Sequence, residues 1–274
     1  MILRPVFLRL TALLIVAASS LQAQSPYQEI DVRDGARIIG TIRCESADLK
    51  SILAMDRTKD TDFCGTTKTS SRLMVCRNKG VRYAVVFLEG IVRGKKETGT
   101  MRPVLDQKGC DYDPHVMIAP LGSQLEIVNS DPILHNVHAY AVTEARTLFN
   151  IAQPIKGQRT SIKQMQMNKP GLVSAVCDAG HPWMSAFVVV VEHPYYALTD
   201  ANGNFTLEDV PAGTYQIKMW HEGVQVTSVE YEHEKPKKYY FEEPYVMVKE
   251  VTVTSGETKK VDFLLELRKG NSGK

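Results

Sequence analysis

The sequence lacks an excess of charge of either sign: 33 basic side chains face 31 acidic ones in 274 residues, a formal charge of +2. Its Lys and Arg residues are scattered, so it offers no basic stripe for phosphate, and a nucleic-acid partner is excluded. It also lacks Cys-x-x-Cys and Cys-x-x-Cys-His pairs, which excludes haem attachment and a zinc ribbon. Long apolar runs are missing too. Leu10–Ala18 is about half of what a spanning helix needs, and later runs such as Ala186–Val191 have only the length of a buried strand, so no membrane span is expected. Capped amphipathic stretches are scarce, with Ala47–Met55 the best short helix. No Ser-His-Asp or paired-carboxylate spacing is evident, so no enzyme is expected. With 43% hydrophobic and 23% charged residues, the chain is an ordinary globular one of one large or two smaller domains, which excludes disordered, collagen-like and coiled-coil readings.

The first 23 residues read as an address. Met1–Arg9 holds two arginines and no acid, an apolar run follows, and Leu21-Gln22-Ala23 ends on a small residue where a signal peptidase cuts. Loss of Arg4 and Arg9 with this signal peptide leaves 31 basic against 31 acidic residues. No cysteine precedes Cys44, which removes a lipidated leader. A periplasmic or secreted, water-soluble product is expected. In that oxidising setting an odd count of five cysteines asks for a reason. Cys44, Cys64, Cys76 and Cys110 lie in the first half and pair in any of three ways, whereas Cys177 stands apart.

Short alternating or apolar runs recur at 37–43, 83–88, 116–119, 124–129, 172–177, 186–192, 204–208, 214–220, 247–254 and 261–267, each bounded by Gly, Pro, Asn or Asp. This spacing predicts an all-β protein of Greek-key sandwiches. The chemistry gathers in two segments: Asn129-Ser-Asp-Pro-Ile-Leu-His135-Asn136-Val-His138, a strand end, a turn and a new strand; and Cys177-Asp-Ala-Gly-His181-Pro-Trp-Met184, a loop between strands. Two imidazoles, a thiolate and a weak axial thioether suit an electron-transfer copper.

These segments, with Pro114–Gly122 and Leu125–Asn129 ahead of them, resemble the cupredoxins, the blue-copper family of plastocyanin and azurin type. The resemblance covers residues 100–193. It implies one type 1 copper ion held by His135, Cys177, His181 and Met184, with Asn136 tying the first-histidine segment to the cysteine loop and Pro182 and Trp183 forming a docking rim. The Cys-x3-His-x2-Met spacing also matches half of a binuclear copper loop, but that centre needs a further cysteine where Val173 stands. His138, three residues beyond His135 on a strand, points to the opposite face. His115 and His221 are expected to be structural or exposed, and Met165 and Met167, alternating along a strand, to pack.

Thr199–Ile217 reads as turn, strand, Pro-Gly turn and strand, and is similar to the carboxypeptidase regulatory-like domain, a small prealbumin-type sandwich. Asp200, Asn202 and Asn204 tempt a calcium-loop reading, but Gly203 is misplaced and no bidentate glutamate follows, so a hairpin turn is expected. Gly40-Thr-Ile42 and Ala84–Leu88 fit that family's earlier strands, and Val251–Leu265 its closing ones. The expected order is thus a signal at 1–23, the first part of this sandwich at 24–99, the cupredoxin domain at 100–193 and the second part of the sandwich at 194–274, one sandwich interrupting the other. The resemblance also implies a Cys64–Cys110 disulfide and leaves Cys44 for Cys76. The whole order is similar to secreted bacterial proteins often labelled methylamine-utilisation proteins, a label with little mechanism. The expected function is outer-sphere electron transfer with a periplasmic redox partner such as a cytochrome or a copper enzyme. A copper carrier or store, and a metal-free interaction or carbohydrate-binding module, are the alternatives.

Overall fold

The computed structural model describes residues 27–45, 54–75, 78–97 and 102–268; the expected signal segment and Cys76 lie outside them, so the Cys44–Cys76 pairing is not described. Strands make up nearly all of the regular structure, beside a one-turn helix at Thr61–Cys64 and a 3-10 turn at Gln164–Met167. The protein is all-β, as its sequence pattern predicts. Of the expected helix, residues 47–53 lie outside the described ones, and Ala54–Asp56 is a strand paired with Thr67–Thr69. Pairing outweighs local propensity there: the ladder satisfies the backbone while Met55 is buried. Met167 is also buried, but in the 3-10 turn and not on a strand.

Two sheets enclose the first core. One runs in the order Tyr196–Leu198, Val85–Glu89, Gly213–His221, Tyr245–Val253; the other pairs Asn204–Val210, Ala36–Cys44 and Thr258–Lys260, with Phe263–Leu265 further along Ala36–Cys44. Alternation along Ala36–Cys44 sends Ala36, Ile38 and Ile42 inward to meet Leu88, Phe205, Ile217 and Phe263. Gly40 sits on the same face because a Cβ there would lie 1.8 Å from the Val261 carbonyl oxygen. The strands Ala36–Cys44 and Val85–Glu89 thus pair with strands that follow residue 195 in sequence. The turn at Asp200 is a hairpin connection, its carboxylate accepting the Asn202 and Asn204 N–H groups at 2.8 Å each.

Residues 104–191 form the second pair of sheets. A four-stranded sheet has the order Tyr112–Asp113, Val104–Gln107, Glu126–Asn129, Arg159–Ser161. A five-stranded sheet has the order Val116–Pro120, Ser185–Val191, Gly171–Val176, His135–Ala141, Arg146–Gln153. Leu105, Ile127, Val137, Ala175, Ala186 and Val188 fill the core between them.

A third apolar layer joins the two sandwiches. Val85 and Phe87 of one meet Val116, Ile118, Phe187 and Val189 of the other, with Trp220 at the edge. This is why Ala84–Leu88, Val116–Pro120 and Ser185–Val191 are apolar at nearly every position instead of alternating: both of their faces are covered. Val85 and Val116 are 0% and 1% exposed, and burial of each stabilises by about 1.5–3 kcal/mol.

Beside this layer lies a buried polar cluster. Glu222 pairs with His115 and with Arg72 Nη1 at 2.5 Å, the other imidazole nitrogen of His115 meets the Ser185 carbonyl at 2.8 Å, and the Arg72 guanidinium stacks 3.3 Å from the Phe241 ring centroid. His221 bonds the Glu222 carbonyl through Nδ1 at 2.9 Å. Both histidines are thus structural. Burial pushes the Glu222 carboxyl up, but His115 and Arg72 outweigh it and hold the group below its ordinary range. Burial lowers the His221 imidazole. Each group binds fewer protons folded than unfolded. Stability is therefore expected to begin falling as pH drops below the ordinary imidazole value of 6.5, and to fall further as pH drops through the carboxyl range. Glu222→Ala strands the buried Arg72 guanidinium and is expected to cost about 3–5 kcal/mol, read from the urea unfolding midpoint.

Candidate metal centre

The two chemical segments meet at one end of the second sandwich. His135 opens the strand His135–Ala141, and antiparallel pairing of His138 with Val176 brings the residues just after the neighbouring strand, Cys177 and Asp178, level with Val137 and Asn136. The loop from Cys177 folds back at once, since Val176 also pairs with Ser185, and a turn from the His181 carbonyl to the Met184 N–H (2.9 Å) closes it. The ligating atoms of His135, Cys177 and His181 lie within 4.8 Å of one another, all buried. Cys177 Sγ is 3.6 Å from His181 Nδ1, and the imidazole centroids are 4.9 Å apart.

Each imidazole is turned by a carboxylate behind it. His135 Nε2 donates to Asp131 Oδ2 at 2.9 Å, and His181 Nε2 donates to Asp60 Oδ2 at 2.8 Å. A carboxylate only accepts, so each Nε2 carries a proton, and the neutral form of each imidazole is the tautomer whose Nδ1 keeps a lone pair. His135 Nδ1 is buried without a hydrogen-bond partner, an arrangement that costs free energy unless something binds there. Burial lowers the His181 imidazole, with Asp60 opposing, and raises the Cys177 thiol, with backbone groups of Ala179, Asn136 and His181 opposing.

Asp131 is itself fixed by the Gly109 and Cys110 N–H groups, 2.8 Å each, and by its own N–H to Asn129 Oδ1 at 3.0 Å. Asn129 in turn ties down the Ile133 and Gln153 carbonyls. Cys110 and Asp131 also lie close to His135, but the Cys110 sulfur is committed to the Cys64–Cys110 disulfide, so that grouping supports His135 and is no second site.

The structure brings His135, Cys177 and His181 together, and Met184 is completely buried in the hydrophobic core that also holds Cys177. Asn136 Oδ1 accepts the Asp178 N–H at 3.2 Å, bridging the first-histidine strand to the cysteine loop. His138 lies on the outer face with Asp178 and Tyr140. The docking rim needs correction at Trp183: its side chain is 2% exposed, its Nε1 donates to the Cys110 carbonyl at 3.0 Å, and Arg57 covers its ring. Pro182 is half-buried. Sequence reasoning missed Asp131 and Asp60 as the groups behind the histidines. Asp131 stood inside the Asn129–His138 motif, four residues before His135, whereas Asp60 is 121 residues from His181 and carries no local signal.

Two imidazoles, one thiol and a buried thioether form a nitrogen–sulfur set that suits a soft or borderline ion, and the spacing among His135, Cys177 and His181 admits a single ion at bond lengths of about 2.0–2.3 Å.

Comparison with known proteins gives partial matches. The family model of the carboxypeptidase regulatory-like domain matches residues 172–266, a span that begins in the five-stranded sheet and runs into the first sandwich. No curated protein matches the chain. Among solved structures, the copper-containing nitrite reductase of Thermus scotoductus SA-01 is 24% identical over 36% of this chain, with TM-score 0.30; the match spans about a quarter of that enzyme, 24% of its chain. A purple cupredoxin of Nitrosopumilus maritimus is 21% identical over 32% of this chain and 99% of its own, with TM-score 0.28. Amicyanin of Paracoccus versutus is 21% identical over 35% of this chain and 86% of its own, with TM-score 0.29.

The carboxylate behind His135 gives a direct test. Asp131→Ala frees the ring to turn, and a bound ion is expected to be held about 10–100-fold more weakly, measured by competition with a chelator of known affinity.

Proposed function

We propose that this is a mononuclear type 1 copper protein of the periplasm or cell exterior, acting in outer-sphere electron transfer with a soluble redox partner such as a cytochrome or a copper enzyme. The observation that carries the reading is the convergence of one ligating atom each from His135, Cys177 and His181 in one buried spot, with the Nε2 of each imidazole tied to a carboxylate behind it. His135, Cys177 and His181 would hold the ion, and Met184 would supply a fourth, weaker thioether donor. Copper supplies one-electron chemistry between Cu(I) and Cu(II) when bound. The chain's own part is to fix the donors: Asp131 and Asp60 keep each Nδ1 deprotonated and aimed, and Asn136 holds the cysteine loop against the first-histidine strand. Burial excludes water from the donors. Donors fixed in this way move little when the charge of the ion changes, and low reorganisation favours electron transfer over chemistry on a substrate.

Purified protein given stoichiometric Cu(II) is expected to show an intense visible sulfur-to-copper charge-transfer band. Cys177→Ser should abolish it, because a hydroxyl does not replace the soft thiolate. Met184→Leu should keep the colour and raise the reduction potential, since a weak donor that would favour Cu(II) is lost. A colourless wild-type protein under oxidising conditions would sink the reading. Stopped-flow mixing with a reduced cytochrome is expected to give fast, reversible reduction; rapid copper surrender to a chelator with slow electron exchange would favour a copper carrier instead.

A further inference from the structure

His181 is the histidine that its loop would otherwise present to solvent, yet its side chain is 0% exposed. What covers it comes from far away in sequence. Residues 57–64 cross over the ligand loop as a strap between the strand Ala54–Asp56 and its partner Thr67–Thr69. Asp60 meets His181 Nε2 at 2.8 Å, and Lys59 Nζ donates to the Ala179 carbonyl in the middle of the loop. The aliphatic stem of Lys59 lies so close to Gly180 that a Cβ there would come within 2.8 Å of it. The strap is anchored at its far end: Cys64 is bonded to Cys110, whose carbonyl receives Trp183 Nε1, and Arg57 both donates to the Cys64 carbonyl and lies over the Trp183 ring. Asp60 holds φ 50°, ψ 38°, a left-handed conformation sparsely populated by residues other than glycine, and one that persists where surrounding contacts fix it.

We propose that this strap is the gate of the metal centre, with Asp60 as the positioning residue that latches it to His181. Closed, it fixes the His181 ring with Nδ1 inward and bars solutes from Cys177 and the donor set. An ion enters or leaves when the Asp60–His181 hydrogen bond breaks and the strap lifts about its disulfide anchor. The hydrogen bond is the latch and Cys64–Cys110 the hinge pin. The metal arm of this inference rests on the copper reading; the access arm does not.

The test therefore uses two readouts on the full chain, wild type beside Asp60→Ala, Asp60→Asn and Cys64→Ser/Cys110→Ser. The first is alkylation of Cys177 by a small maleimide in metal-free protein, with the labelled cysteine identified by peptide mapping. The second is the rate of copper loss to a Cu(I) chelator. Loss of a hydrogen bond to a charged group is expected to speed Cys177 labelling by about tenfold or more in Asp60→Ala, and the double serine variant should do the same. Asp60→Asn keeps an acceptor for Nε2–H and should stay near wild type, which separates a latch from a general loss of stability. Copper loss should follow the same order. Equal labelling rates in wild type and Asp60→Ala would overturn the gate, whether or not copper binds. A wild type that takes no copper, with labelling still accelerated in Asp60→Ala, would overturn the copper reading and leave the gate standing.

Discussion

Much of the molecule hangs on one strand, Ser185–Val191, whose two faces serve two different cores. Ala186, Val188 and Val190 point into the sandwich that bears the candidate centre, while Phe187, Val189 and Val191 point into the layer shared with the other sandwich. The same strand begins one residue after Met184, so the end of the ligand loop is bolted to the most constrained backbone in the protein. Ser185 adds a polar bolt. Its carbonyl meets His115 and its hydroxyl accepts from Arg72 at 3.3 Å, which joins the loop's exit to the buried Glu222 cluster. A loop of eight residues with two fixed ends has little freedom to reshape, and a preformed donor set follows from that restraint more than from any property of the donors.

What the sequence showed and what it hid divide along the same line. Strand positions, and the meeting of Cys177, His181 and His135 in one place, depend on residues near one another or on a resemblance carried by short motifs, and these were legible. Trp183 was misread for the opposite reason. An aromatic beside a ligand histidine looks like a rim until something is known to lie over it, and what lies over it, Arg57 and the Cys64–Cys110 bridge, is more than 70 residues away in sequence. The hairpin Val226–Glu232 with Lys235–Phe241 went unnoticed because its exposed faces carry charge, although Tyr239 and Phe241 pack against the site-bearing core.

The electrostatics around the two histidines also differ in a way that single motifs do not convey. Asp131 belongs to the same turn as His135 and is held by backbone N–H groups on both of its oxygens, so its position is as rigid as the turn. Asp60 belongs to the strap, is about a third exposed, and holds His181 through one hydrogen bond. One imidazole is thus supported from within the sandwich and the other from a segment that touches the sandwich through a few contacts and a disulfide. Any opening of the centre is expected to begin on the His181 side, because that is where the fewest bonds must break.

This asymmetry bears on how an electron would enter or leave. In the proposed reading an electron would pass through a ligand ring, and the His181 ring is covered by the strap, whose Arg57 also lies over the buried Trp183. A partner approaching there meets Lys59, Asp60 and the exposed Phe63 of the one-turn helix instead of the ligand itself. In that reading the segment proposed to gate ion exchange would also be part of the surface a partner reads. Protection of the metal and recognition of the partner are then set by one short stretch of chain, and that stretch is anchored to the site by Cys64–Cys110 instead of by the ligand loop's own sequence.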